Sequence, residues 1–76
     1  MNVEVGDVEA LLTHELDLDE GEIGADSTAE EIENWDSLGH IAVCMALEAR
    51  YGISIPMDKV SELQSVKAIV EYLESL

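Results

Sequence analysis

A serine beside an acid, at the head of a helix-forming run, is where this chain could do chemistry. The residues are Trp35-Asp36-Ser37-Leu38-Gly39-His40-Ile41, and the run they open ends at Tyr51-Gly52-Ile53-Ser54-Ile55-Pro56. A hydroxyl in the first turn of a helix projects beside unpaired backbone N–H groups, which favour an attached phosphodiester. The Asp36 charge opposes that, yet a carboxylate also helps present an Mg²⁺-bound phosphoryl donor to the hydroxyl. Self-activation fits poorly. A nucleophile elbow needs glycine two residues before the serine, and that place holds Trp35. His40 lies one turn further on, but no orienting acid or oxyanion site is indicated. Asp-Ser at a helix start is most often only a cap, so these two residues do not decide alone. The serine reads as one that another enzyme modifies.

The elements that would position it follow from punctuation and apolar spacing. Val8, Leu11, Leu12 and Leu16 recur at helical intervals and predict a first helix from Asn2 or Val3 to about Leu16. A long connection from Asp17 to about Trp35 is acidic and holds Gly21 and Gly24, with Ile23, Ile32 and Trp35 as apolar anchors. A structureless loop of that length is unusual in a compact domain, so it is expected to be packed. Thr28 and Glu31 have the spacing of a capping box. A second helix is predicted over Ser37–Tyr51, capped by Asp36 and stopped by Gly52. Ile55-Pro56 forces an extended step before a short helix over Met57–Glu62. Ser65 caps a last helix lined by Val66, Ile69, Val70 and Leu73. No alternating strand pattern or repeat is present, so the fold class is all-α: three principal helices, one short one and a long first loop.

Seventy-six residues make one domain with a modest aliphatic core. The formal charge is −15, from 18 acids against Arg50, Lys59 and Lys67. That excess argues against nucleic acid and anionic lipid as partners and favours proteins with basic patches. A lone Cys44 forbids an internal disulfide. With no signal peptide, basic transit segment or long apolar span, a monomeric cytoplasmic protein without membrane insertion is expected.

The second helix carries two apolar stripes at helical spacing. Val43, Cys44, Leu47 and Tyr51 fall together with His40 nearby; Leu38, Ile41, Ala42, Met45 and Ala49 fall on the other side. Both could be buried, or one could be core and the other a docking surface. Periodicity does not choose.

Asp36-Ser37-Leu38, the amphipathic helix ending at Tyr51-Gly52-Ile53, Ile55-Pro56 and Ser65-Val66, in this order and spacing, resemble an acyl carrier protein. The resemblance covers nearly the whole chain and implies a single carrier domain over residues 1–76 with a four-helix bundle. It implies a non-catalytic protein whose Ser37 receives 4′-phosphopantetheine from coenzyme A through a Mg²⁺-dependent phosphopantetheinyl transferase, with Asp36 and Leu38 flanking the attachment point. The terminal thiol of that arm then holds an acyl or aminoacyl group as a thioester. Partners implied are the transferase, an acyl- or aminoacyl-loading ligase, and an acyltransferase or synthase. By position, Leu38, Ile41, Ala42, Met45 and Glu48 match the family's docking surface. Val43, Leu47, Ile55, Val60, Leu63 and Ile69 match its acyl pocket, with His40 and Cys44 at the edge.

Departures from the family narrow the expectation. Carriers of fatty-acid synthesis line the docking face with acids, where this chain has Gly39, Ala42 and Ala49, with Arg50 nearby. A dedicated partner set in a specialised pathway is expected, with apolar contact weighted over charge steering. His40 and Ile69 are bulkier than the family's usual residues, which implies short or polar cargo; a place for His40 at the solvent edge is the favoured alternative. Asn34-Trp35 replaces the glycine that usually precedes the serine motif in peptidyl carriers and favours a free-standing carrier. The other function classes are an unmodified acidic helical adaptor binding basic proteins and a small hydrolase. Asp17-Leu18-Asp19-Glu20-Gly21 fails calcium-loop spacing, since Gly21 falls where a ligand is needed, and no specific metal site is expected.

Overall fold

The computed structural model describes all residues from Met1 to Leu76. Four helices follow in order: α1 (Val5–Glu15), α2 (Ser37–Tyr51), α3 (Met57–Val60) and α4 (Val66–Glu74). The all-α expectation holds, with one isolated antiparallel bridge between Thr28 and Ser65. None of the helices is long and apolar enough to cross a membrane.

The helix ends show which local signals prevail. α2 begins and ends where its sequence indicates. Asp36 accepts the Gly39 N–H at 2.8 Å, and Gly52 adopts the left-handed conformation at φ 64°. There the Ile53 N–H reaches back to the Glu48 carbonyl at 3.2 Å, closing a Schellman turn. α1 closes the same way without glycine. Asp17 takes φ 53°, a conformation that aspartate tolerates better than most residues, and the Leu18 N–H bonds the Thr13 carbonyl at 2.9 Å.

Two helices are shorter than expected. α1 starts at Val5, because Glu4 supplies no side-chain cap and Val3 is buried from the extended segment before it. α3 stops at Val60. Beyond it, Glu62 and Leu63 donate to the carbonyls three residues back, which makes tight turns in place of an α-helical turn. The Thr28–Glu31 pair caps no helix. Thr28 Oγ1 donates to the Glu31 carboxylate at 3.1 Å, and the segment forms turns.

The long first loop is packed, as its apolar anchors require. Ile23, Ile32 and Trp35 are buried in one core with Leu12 and Leu16 of the first helical region, Val43 and Leu47 of α2, and Val66, Ile69 and Leu73 of α4. Backbone bonds fasten its middle to the turn before α4: Ala29 N–H to Gln64 O at 2.8 Å and Val66 N–H to Ser27 O at 3.1 Å. Its far end is fixed by the Asn34 side chain, which donates to the Leu16 carbonyl at 3.0 Å. Consequently the residues just before Ser37 are held between the end of α1 and the start of α2.

Candidate functional site

Ser37 is the first residue of α2, and it does not cap that helix; Asp36 does. The Asp36 carboxylate takes the Gly39 N–H and its backbone carbonyl takes the His40 N–H at 2.8 Å. The N–H groups of Ser37 and Leu38 are left without a partner in the chain. Ser37 is exposed. The hydroxyls of Ser27, Ser61, Ser65 and Ser75 are engaged in hydrogen bonds, whereas that of Ser37 is not. A phosphate ester on this oxygen would sit at the positive end of a 15-residue helix, beside two free donors.

Gly39 has a steric duty at this junction. A Cβ there would press into the Asn34 carbonyl oxygen and come within 2.9 Å of Leu16 Cδ2. Its missing side chain therefore reflects close packing of the loop end against α2, which accounts for the absence of an acid at this position without reference to partners.

Beside Ser37 lies an open groove of about 540 Å³, lined by Trp35, Asp36, Ser37, His40 and Ile41 on one wall and by Met57, Val60, Ser61 and Gln64 on the other, with Ala29 and Glu30 at the loop end. Of the residues expected to line an acyl pocket, His40 and Val60 reach this groove. Val43, Leu47, Ile55, Leu63 and Ile69 do not line it and belong to the buried core. Glu30, Ser61 and Gln64 carried no signal in the sequence, because they reach the groove from turns distant along the chain.

The two stripes of α2 separate cleanly. Val43 and Leu47 are fully buried and Cys44 nearly so, while Leu38, Ile41 and Met45 are 79%, 53% and 63% exposed. Ala42 is half-buried and Ala49 exposed. Glu48 is half-buried, and its carboxylate accepts the Ile55 N–H at 2.8 Å, so it braces the turn after α2. Arg50 lies 3.6 Å from Asp7 on α1, an exposed pairing of small energetic weight. Burial, with the nearby Glu48 charge adding to it, pushes the Cys44 thiol above its ordinary range, which suppresses the reactive thiolate.

His40 is buried, contrary to the favoured place at the solvent edge. Its ring accepts from Trp35 Nε1–H at 2.9 Å and lies 2.6 Å from the Val60 carbonyl. A burial-compatible polar partner in the loop was not legible from helical spacing, and Trp35 supplies it.

The family model described as a phosphopantetheine attachment site matches residues 7–73. The acyl carrier protein of Helicobacter hepaticus is 34% identical over 68 residues, covering 90% of each chain. That of Rickettsia canadensis is 31% identical over 64 residues, covering 84% of this chain and 74% of the relative. In fold, the solution structure of the holo acyl carrier protein from Geobacter metallireducens superposes with a TM-score of 0.80 at 21% identity, over 93% of this chain and 82% of that one. The matched attachment-site model and the 34% identity to an acyl carrier protein place the chain in the acyl carrier protein family, non-catalytic carriers that a phosphopantetheinyl transferase loads with covalent 4′-phosphopantetheine.

Proposed function

We propose that Ser37 is the residue that carries the prosthetic arm, and that residues 1–76 act as one free-standing carrier domain in a specialised biosynthetic pathway. The observation that carries this reading is the division of labour at the start of α2. Asp36 satisfies the cap, so the Ser37 hydroxyl stays available to a second enzyme. In loading, Ser37 Oγ forms the new O–P bond, 3′,5′-ADP leaves coenzyme A, and the hydroxyl proton passes to the transferase. Asp36 is exposed and only one of its carboxylate oxygens is engaged within the chain, which leaves the other free for a transferase-bound Mg²⁺. Once attached, the group supplies a long flexible arm ending in a thiol that holds acyl or aminoacyl cargo as a thioester.

Leu38, Ile41 and Met45 form the docking face for the transferase, a loading ligase and an acyltransferase or synthase, with Ala42 and Glu48 at its margin. Three exposed large apolar side chains on one stripe of one helix support this, since isolated exposed apolar residues are ordinary but a contiguous stripe is not. With no acid at Gly39, Ala42 or Ala49, contact on this face is weighted toward apolar burial. The protein works in the cytoplasm as a monomer, and the charge of −15 supports partners other than nucleic acid or anionic membrane.

Intact mass after incubation with coenzyme A, Mg²⁺ and a phosphopantetheinyl transferase tests the reading. One added phosphopantetheine per chain is expected. An unchanged mass with several transferases would favour the alternative, an unmodified acidic adaptor for basic proteins.

A further inference from the structure

The polar cluster beneath Ser37 is used neither by attachment nor by docking. The Trp35 indole is a donor only, so its bond to His40 Nδ1 at 2.9 Å makes that nitrogen an acceptor. The ring proton therefore sits on Nε2, which donates to the Val60 carbonyl at 2.6 Å. One neutral imidazole, 8% exposed, thus joins the loop end, α2 and the last residue of α3. α3 has no buried residue of its own, and this bond fastens its end to α2.

The location gives the cluster a consequence. Trp35, His40 and Val60 all line the groove beside Ser37. Val43 and Leu47 continue the His40 face of α2 one and two turns deeper, fully buried. A chain passing from the groove into the interior between His40 and Val60 would have to part α3 from α2. That movement breaks the His40–Val60 bond and leaves a donor and an acceptor unpaired in a partly buried place.

We infer that Trp35, His40 and Val60 form a latch between the groove and the bundle interior, and that His40 is thereby a specificity-determining residue: cargo on the arm lies in the open groove and is kept out of the core. The groove is mixed in character, lined by Ile41 and Met57 as well as by Glu30 and Gln64, which fits short or polar acyl groups better than long alkyl chains. This rests on attachment at Ser37. Loading is therefore verified by intact mass before each measurement, so failure to load counts against the attachment reading and leaves the latch as a separate question answered on loaded protein.

The test loads the full chain with an octanoyl probe from octanoyl-coenzyme A, using a phosphopantetheinyl transferase, and compares it with the chain bearing the arm alone. In the wild type, the methyl resonances of Leu47 and Ile69 are expected to stay in place, and hydroxylamine should cleave the thioester as fast as octanoyl-coenzyme A itself. His40→Ala removes both bonds; the methyl signals should then shift and cleavage should slow several-fold. His40→Gln keeps one acceptor and one donor and should restore wild-type behaviour. Trp35→Phe removes only the donor to Nδ1 and should change both readouts in the same direction as His40→Ala, which covers the case in which His40→Ala does not fold. Protection of the thioester in the wild type overturns the inference. So does a folded latch-breaking variant that behaves like wild type, or a His40→Gln variant that opens.

Discussion

Ser37 and Ser65 both stand where a helix begins, yet their hydroxyls have opposite fates. Ser65 is the N-cap of α4, and its oxygen accepts the Ala68 N–H at 3.0 Å. Ser37 stands one position inside α2, with the equivalent bond made by Asp36 at 2.8 Å. Moving the cap one residue upstream turns a structural serine into an available one. The neighbourhoods differ as well. Ser65 is half-buried and sits in the Thr28 bridge, while Ser37 is exposed at the edge of a groove and next to an apolar stripe. A helix-start serine is thus not informative by itself; what matters is which atom already satisfies the helix end.

Perturbations of the two starts should diverge. Short of replacing Ser37 itself, the largest effect is expected on the α2 side, away from the serine. Ile41→Glu or Met45→Glu should lower transferase kcat/KM by about thirtyfold or more, the scale of a central interface residue worth roughly 2 kcal/mol. The circular dichroism should be unchanged, because both side chains face solvent. Wild-type loading of both variants would remove this stripe from the docking surface. Next, Gly39→Ala should destabilise the fold by about 2 kcal/mol through overpacking against Asn34 and Leu16, read by urea denaturation. An unaltered midpoint would mean the loop end yields without cost.

Capping itself should give smaller and more instructive changes. Ser65→Ala and Asp36→Ala should each lose about 1 kcal/mol of stability. Loading should survive the first intact and be slowed by the second. Equal loading rates in the two variants would erase the functional distinction between the helix starts. The weakest expected effect is global. Added salt or divalent cations should raise the melting temperature by a few degrees, because screening relieves the self-repulsion of the acidic excess; a flat salt titration would argue against that repulsion.

Much of the fold was legible because its signals are local. Asp36, Gly52 and Pro56 punctuate α2 and its exit, and Ile23, Ile32 and Trp35 announced a packed loop. The site was legible in part for the same reason. The choice between the two stripes of α2 needed the other helices, since periodicity shows that a face is apolar without showing what covers it. The true start of α1 depended on Val3 finding the core from an extended segment. Gly39 looked like a missing acid and proved to be a contact point for Asn34. His40 looked like an edge residue because its partners, Trp35 and Val60, meet it only in the folded chain.

The central claim is that the Ser37 oxygen holds the arm. Fragmentation mass spectrometry of the transferase-treated protein tests it most directly. Phosphopantetheine is expected on Ser37, present in Ser65→Ala and absent in a folded Ser37→Ala. Modification at another residue, or continued loading of Ser37→Ala, would contradict the account.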